Sequence, residues 1–201
     1  CVWFPLSAAL PSALWATALR DAFFQVTSVI STTGFASTDF AQWPLFSKTI
    51  LILLMFSGAC AGSTAGGLKV SRVAIAVKSS FSELRRMLRP RSVVVPKFDG
   101  KPLESEEVSG VWHFILVYLL LFALSLLLVS VGTNDLETAF SGVLTMMSNV
   151  GPGLSQAVGP MSNFGAQTVL TKIVYCFDML AGRLELFPIL ILFAPATWRR
   201  R

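Results

Sequence analysis

Two glycines, Gly34 and Gly151, each follow a short, largely apolar segment whose last residues are small or polar. Glycine takes positive φ readily, so backbone at a glycine can turn successive carbonyl groups in one direction. Carbonyl oxygens that face one axis replace the hydration shell of a cation, which is the chemistry of a selectivity filter. The two glycines therefore predict ion-binding backbone. The alternative is that each is an ordinary helix C-cap.

The surroundings of the two glycines form an internal repeat. Residues 21–35 align with residues 138–152 at an offset of 117, with five identities in fifteen positions. Downstream, Ala61-Gly62-Ser63 aligns with Ala181-Gly182-Arg183. Pro11-Ser12 and Asn134-Asp135 are typical helix-start residues. The chain thus predicts two copies of one unit, consisting of a short helix, a glycine turn and a membrane helix.

Other kinds of site chemistry are excluded. The single histidine, His113, rules out a histidine-based metal site and a Ser-His-Asp triad. The three cysteines are far apart and lack metal-ligand spacing. Residues 62–69 (GSTAGGLK) differ from a phosphate-binding loop, because the lysine comes one position late and no Ser or Thr follows it.

The composition indicates which solvent surrounds these elements. Of the 201 residues, 54% are hydrophobic and 13% are charged, and the mean hydropathy is +0.68. Soluble domains are about 25% charged. Disorder and a disulfide scaffold are excluded, and a chain partly solvated by lipid is favoured.

Three apolar stretches predict the membrane elements. Residues 111–131 hold 21 residues without a formal charge, which is long enough for one crossing. Residues 45–56 are too short; they run into the glycine-rich segment 58–67, after which apolar residues resume at 68–77. This pattern predicts one crossing made of two half-helices around an intramembrane loop. Residues 168–198 are interrupted by three charged residues, Asp178, Arg183 and Glu185.

The basic residues predict the orientation of the chain. Twelve of the sixteen Lys and Arg lie within residues 69–107 or 199–201, which the positive-inside rule places in the cytoplasm. Acidic residues share the first of these segments, so a nucleic-acid surface is disfavoured and a solvated loop is expected. Arg183 stands apart as an intramembrane arginine, which normally faces a water-filled cavity or a partner. The alternative is a buried ion pair with Asp178 or Glu185.

Four segments in this order resemble the Trk/Ktr/HKT superfamily of potassium transporters, most closely its TrkH-type bacterial uptake proteins. They are SVISTTGFAS, GACAGSTAGGLK, SNVGPGLS and DMLAGRLELFPIL. The resemblance extends over residues 12–198 and implies an all-α membrane protein with four helix–pore-loop–helix repeats around one pore. Residues 1–88 correspond to a third repeat without its first helix, 89–107 to a cytoplasmic linker, and 108–201 to a fourth repeat. We therefore expect a fragment of a larger protein, as the start at Cys1 also indicates.

The resemblance implies the roles of particular residues. The filter would comprise Thr32, Thr33, Gly34, Phe35, Asn149, Val150, Gly151 and Pro152. Potassium would bind the backbone carbonyls of Thr33, Gly34, Val150 and Gly151. The gate would comprise Gly58, Gly62, Ser63, Thr64, Gly66, Gly67 and Arg183.

The expected activity is potassium uptake by a multi-pass protein of the bacterial inner membrane, with potassium as substrate and no covalent cofactor. The implied partners are membrane lipid, a second copy in a homodimer and a cytosolic ring that binds NAD or ATP/ADP, but no nucleic acid. The alternatives are a sodium or mixed-cation transporter of the same fold and a non-conducting membrane subunit. An intramembrane enzyme is disfavoured, because Asp178 and Glu185 have no evident catalytic partner.

Overall fold

A computed structural model describes residues 12–60, 63, 66–89, 97–99 and 101–184. The helices in these ranges are α1 (Ser12–Ile30), α2 (Leu45–Ser57), α3 (Val70–Leu88), α4 (Ser105–Ser130), α5 (Leu136–Met147) and α6 (Val169–Arg183). Single-turn 3-10 helices at Phe40–Gln42 and Phe164–Ala166 precede α2 and α6. Strands β1 (Lys97–Phe98) and β2 (Lys101–Pro102) pair as an antiparallel hairpin in the linker. Apart from this hairpin the described fold is all-α, as expected.

Within the described residues, α4 is the one helix long and apolar enough to cross a membrane by itself. It has 26 residues and a mean hydropathy of 2.5 over its best window. At 1.5 Å per residue it is roughly 39 Å long, more than the hydrocarbon core of a bilayer. It begins at Ser105, earlier than the predicted residue 111, because Glu104 and Glu107 form a capping box. The Glu104 amide donates to the Glu107 carboxylate at 3.2 Å.

The short helix α5 lies at the centre of the described bundle. Its 12 residues extend about 18 Å, too short to cross a bilayer. It begins after Asp135, as predicted, and Asp135 caps the amides of Glu137 and Thr138. All residues from 138 to 147 except Phe140 are buried, because α2, α4 and α6 pack around the helix. A half-length helix is thus held inside the protein and away from lipid.

Three aromatic rings join α5 to its neighbours. Phe56 of α2 lies 5.5 Å from Phe122 of α4 and 6.4 Å from Phe140 of α5, measured between ring centroids. Phe122 and Phe140 meet edge to face at 5.3 Å. Such pairs contribute about 0.5–1.5 kcal/mol each beyond the area that they bury. They fix the broken crossing of the first unit against the second unit.

The crossing between α2 and α3 is broken, as the sequence predicts. Gly58 ends α2 with a φ of +61°. The ends of the break stay together, because the Leu68 amide donates to the Phe56 carbonyl and the Val70 amide to the Ala59 carbonyl, both at 3.2 Å. Pairing these groups makes irregular backbone tolerable at membrane depth.

The expectation of a solvated loop is wrong for residues 78–88, because α3 continues to Leu88, beyond the predicted half-helix at 68–77. Small residues at Ala76, Ser79 and Ser82 are buried on one face of the helix. On this face the Trp112 indole of α4 donates to the Ser79 hydroxyl at 3.2 Å. Basic side chains such as Arg85 occupy the exposed face. This amphipathic pattern lets a charged segment be helical without burying its charges.

The two predicted units recur in the structure. Up to the filter glycines the offset is 117 residues, as in the sequence. Beyond them it is 124, since the 3-10 helices begin at Phe40 and Phe164, and α2 and α6 begin at Leu45 and Val169. The second unit therefore carries seven extra residues after its glycine turn.

The new offset changes one sequence alignment. Asp39 and Asn163 cap the 3-10 helices alike, accepting from backbone amides at 3.1 and 3.0 Å. Continued along α2 and α6, an offset of 124 pairs Gly58 with Gly182. The expected match of Gly62 with Gly182 is therefore wrong, because the seven-residue insertion lay outside the compared sequence windows.

Candidate ion-conduction site

Helices α1 and α5 end in the same backbone motif. The residue with left-handed backbone is Thr32 after α1 and Asn149 after α5, each with a φ of +55°. The amide of the following residue donates back to the carbonyl of Ser28 at 2.9 Å or of Thr145 at 3.0 Å. This is the Schellman arrangement, in which the left-handed residue that follows the helix is usually a glycine. Here a threonine and an asparagine take that position.

The glycines produce a second, separate bend. Gly34 has a φ of +77° and Gly151 a φ of +109°, two residues beyond the helix caps. The alternative that these glycines are ordinary helix C-caps is therefore wrong, because Thr32 and Asn149 already close the helices. Two left-handed residues so close together turn the chain away from the helix and then back on itself.

A side-chain hydrogen bond fixes the far end of each turn. The Ser28 hydroxyl donates to the Phe35 carbonyl at 2.6 Å, and the Thr145 hydroxyl donates to the Pro152 carbonyl at 3.0 Å. The two bonds occupy equivalent positions of the repeat. The carbonyls of Phe35 and Pro152 are consequently drawn back toward the helices.

In each turn, the backbone carbonyls that lie between the helix cap and this side-chain hydrogen bond accept no hydrogen bond from the described part of the chain. None of the described residues donates a hydrogen bond to the backbone oxygens of Thr33, Gly34, Val150 or Gly151. These are the four oxygens predicted to bind potassium. Thr33 and Gly151 are exposed and Gly34 is half-buried, so these oxygens are open to water or to an ion. Carbonyl oxygens of this kind can replace the hydration shell of a cation.

The two turns meet in space. A side chain at Gly34 would overlap the carbonyl oxygen of Val150, and its Cβ would lie 3.3 Å from Cδ of Pro152. Residues separated by more than 110 positions are thus brought into contact, because α1 packs on α2 and α2 packs on α5. The structure brings the predicted filter residues of both units together.

The intramembrane loop lies directly against the second filter turn. A Cβ atom at the buried Gly66 would lie 2.6 Å from the Ser148 carbonyl oxygen and 2.9 Å from Nδ2 of Asn149. A Cβ atom at Gly182 of α6 would lie 2.6 Å from the same Nδ2. The Asn149 amide therefore fills the space between two glycines, one in the loop and one in α6.

The remaining predicted gate residues are distributed around this contact. Gly58 packs on the Gly66 carbonyl, with 2.6 Å between that oxygen and an ideal Cβ at Gly58. Gly67 has a φ of +83°, and Ser63 is exposed. Gly62 and Thr64 lie outside the described residues.

Arg183 is the last residue of α6 and is exposed. It forms no hydrogen bond or ion pair with any described residue. The alternative of an ion pair with Asp178 is wrong, because Asp178 lies fully buried and accepts instead from the Ser125 hydroxyl at 2.6 Å. Glu185 lies outside the described residues.

Sequence reasoning missed one residue behind the first filter turn. Gln25 of α1 is fully buried, and its amide oxygen accepts from the amides of Ser37 at 2.9 Å and Thr38 at 3.2 Å. It thereby holds the segment that follows the filter turn. A single glutamine in the run FFQVTS gives no sign of this role, because its partners lie 12 and 13 residues further along the chain.

Sequence reasoning also missed a contact between the units on the side of the helix starts. The Lys48 ammonium of α2 donates to the Glu137 carboxylate of α5 at 2.8 Å. Nearby, bonds from the Thr138 hydroxyl and amide hold the pKa of Asp135 below its ordinary value. The α5 cap is therefore fully formed above the ordinary aspartate range and is lost as the pH falls through the lowered pKa.

No group of three or more His, Cys, Asp or Glu that could hold a metal ion occurs in the part of the chain that the structure describes. Neutral backbone oxygens, such as those of the two turns, are a donor set that suits a weakly bound monovalent ion, which must enter and leave rapidly.

Comparison with known proteins identifies the family of this chain. A family model described as "TrkH: Cation transport protein" matches residues 7–200. The Trk system potassium uptake protein TrkH of Salmonella typhimurium is 39% identical over 184 residues, which is 91% of this chain and 37% of that protein. TrkH of Escherichia coli K12 is 38% identical over 182 residues, 90% of this chain and 37% of that protein.

A solved structure is also similar. The crystal structure of the potassium transporter TrkH from Vibrio parahaemolyticus matches with a TM-score of 0.82 and 40% sequence identity. The match covers 92% of this chain and 39% of that chain. This chain thus spans little more than a third of the length of the relatives that it matches. It is an all-α membrane protein with pore-loop repeats, and it belongs to the TrkH family of cation transport proteins.

Proposed function

We propose that this chain forms part of a potassium-conducting pore and that its two glycine turns supply half of a selectivity filter. One observation carries the proposal: both turns have left-handed residues at the same two positions, together with backbone carbonyls to which no described residue donates a hydrogen bond. Potassium would replace its hydration water with the carbonyl oxygens of Thr33, Gly34, Val150 and Gly151. The names of the relatives, which are potassium uptake proteins, support the choice of ion.

Two turns do not surround an ion, so two further repeats would complete the ring. Residues 1–88 would act as a third repeat, 89–107 as the linker and 108–201 as the fourth repeat. The exposed apolar side chains of α1 and α2, which include Trp15, Phe23 and Phe46, would then contact the other repeats or lipid.

The loop between α2 and α3 would act as the gate. It consists largely of small residues, and Gly66 rests on the Ser148 carbonyl of the filter turn. Backbone held by few side-chain contacts opens at low cost. Arg183, one residue beyond the contact of Gly182 with Asn149, would place its charge on the cytoplasmic side of the loop and oppose passing cations.

The protein would lie in the bacterial inner membrane with residues 69–107 and 199–201 in the cytoplasm. A second copy and a cytosolic nucleotide-binding ring are the partners that we propose. The exposed basic face of α3, formed by residues such as Arg85, would be available to the cytosolic ring.

Ion uptake tests the proposed function. We expect the full-length protein, expressed in a bacterial strain without its own potassium uptake systems, to restore growth at low potassium and to take up rubidium as a potassium tracer. Sodium should compete weakly, because the relatives that the chain resembles are potassium uptake proteins. Equal uptake of sodium would indicate a mixed-cation transporter. No uptake of either ion at a normal membrane level would indicate a non-conducting subunit and contradict the proposal.

The proposed orientation can be tested by cysteine labelling. In a variant without Cys1, Cys60 and Cys176, we expect a membrane-impermeant maleimide to label Ser162→Cys in intact cells. Ser80→Cys should be labelled only after permeabilisation. Both positions are exposed. Ser80 lies near the start of α4, where Trp112 bonds Ser79, whereas Ser162 precedes Thr168, which lies against Gly132 beyond the end of α4. The exposed Ser109→Cys on α4 is the control, and it should behave like Ser80→Cys. Labelling of Ser80→Cys and Ser162→Cys from the same side would contradict this topology.

A further inference from the structure

A buried carboxyl group lies behind the second filter turn and has no part in the pore proposed above. Asp178 occupies the middle of α6 and is fully buried. The Ser125 hydroxyl of α4 donates to its Oδ1 at 2.6 Å. Its Oδ2 has no partner among the described residues. An ionisable side chain at membrane depth is costly and is normally retained for a function.

Three other buried oxygens without partners accompany this carboxyl. Two are the phenols of Tyr118 and Tyr175, and both are near enough to Asp178 to interact with it electrostatically. The third is the hydroxyl of Ser148, which lies beside the Tyr118 phenol. Buried polar atoms are nearly always hydrogen-bonded, so we expect trapped water molecules or small side-chain rotations to join these groups into one network.

The network ends at the filter. Ser148 closes α5, where its amide donates to the Leu144 carbonyl at 2.9 Å, and it is followed directly by the left-handed Asn149. The Ser148 carbonyl in turn supports Gly66 of the gate loop. A change in the position of the Ser148 hydroxyl is therefore passed to both the filter turn and the gate loop.

The described part of the first unit has no buried carboxyl group at the equivalent position. At an offset of 124 the position of Asp178 is taken by Leu54, and that of Tyr175 by the buried Leu51. The first filter turn is supported instead by Gln25, whose counterpart at an offset of 117 is Gly142. The Tyr175 hydroxyl occupies the space that a side chain at Gly142 would need. Each unit thus holds an equivalent turn with a different buried polar group.

We infer that Asp178 is a positioning residue for selectivity: through Tyr118 and Ser148 it holds the fourth-repeat filter turn in its ion-binding shape. This inference rests on the proposed potassium function. Asp178 does not touch the ion. Its removal should alter the choice between ions, whereas a residue needed only for folding would alter the amount of active protein.

The experiment compares rubidium and sodium uptake by the full-length protein, with membrane levels measured in parallel. We expect Asp178→Leu and Tyr118→Phe each to lower the rubidium-to-sodium ratio on the order of tenfold, since each removes a hydrogen-bonding group that bears on the turn. Asp178→Asn should restore most of the ratio, because its amide still accepts from Ser125 and can donate to Tyr118. The control Ser130→Ala removes an exposed hydroxyl from the same helix as Tyr118 and should change nothing.

Several results would overturn the inference. One is a wild-type ratio in both Asp178→Leu and Tyr118→Phe at normal membrane levels. Another is a parallel loss of both ions without a change in the ratio, and a third is an Asn variant as defective as the Leu variant. If Asp178→Leu fails to reach the membrane, Tyr118→Phe decides the question, because it deletes a single oxygen atom. A wild-type protein that takes up neither ion would refute the proposed function instead.

Discussion

Replacing Gly34 with alanine is expected to abolish most potassium selectivity, and to do so more severely than the same change at Gly151. Both glycines have a positive φ, at which an L-residue costs roughly 1–2 kcal/mol. At Gly34 the new methyl group would also overlap the Val150 carbonyl, one of the four proposed ion ligands. At Gly151 no atom lies within 4 Å of the added Cβ. Gly34→Ala therefore displaces the Val150 carbonyl, a proposed ion ligand in the other turn. Gly151→Ala strains only the backbone of the turn to which Gly151 belongs.

The measurement is the ratio of rubidium to sodium uptake by the full-length protein. We expect a fall of at least about tenfold for Gly34→Ala and of a few-fold for Gly151→Ala, as one kcal/mol corresponds to about fivefold. Gly110→Ala on α4 is the matched control, because that glycine also has open space around it and has no positive φ. Equal effects at the two filter glycines would show that the contact with Val150 is unimportant. A normal ratio in both would remove the filter assignment.

Gly66→Ala and Arg183→Ala are each expected to raise ion flux. A methyl group at residue 66 would lie 2.6 Å from the Ser148 carbonyl oxygen, so the loop could not rest on the filter turn. Arg183→Ala removes a positive charge that opposes cations near the loop. Differences of 1–3 kcal/mol between closed and open states would raise flux several-fold to a hundredfold.

The double variant distinguishes one shared gate from two independent effects on ion flux. Because both changes remove one barrier, Gly66→Ala with Arg183→Ala should gain little over either single variant. Gly110→Ala is the control, since Gly110 lies on α4 outside the loop and has open space around it. Rubidium flux in vesicles containing the purified protein is the readout. Flux at background in both single variants, with normal membrane levels, would mean that these residues support the fold and do not gate the pore.

The sequence predicted those features that depend on neighbouring residues. The crossing near residues 111–131, the short helices before Gly34 and Gly151, and the break at 58–67 follow from hydropathy, helix-start residues and glycine content. The repeat was visible because equivalent turns require equivalent residues. Two errors were also local. The solvated loop was inferred from charge alone, and α4 began earlier because its capping box lies outside the apolar window.

The tertiary structure decided how the site is assembled. Thr32 and Asn149, and not the glycines, cap the short helices, because the glycine bends are needed two residues later. The contact of Gly66 with Ser148, the support by Gln25 and the bond from Ser125 to Asp178 were all invisible in the sequence. Backbone angles and hydropathy are set by residue type and near neighbours, so sequence can reveal them. A contact across tens of residues depends on how helices pack, and no local pattern encodes which two side chains or glycines that packing brings together.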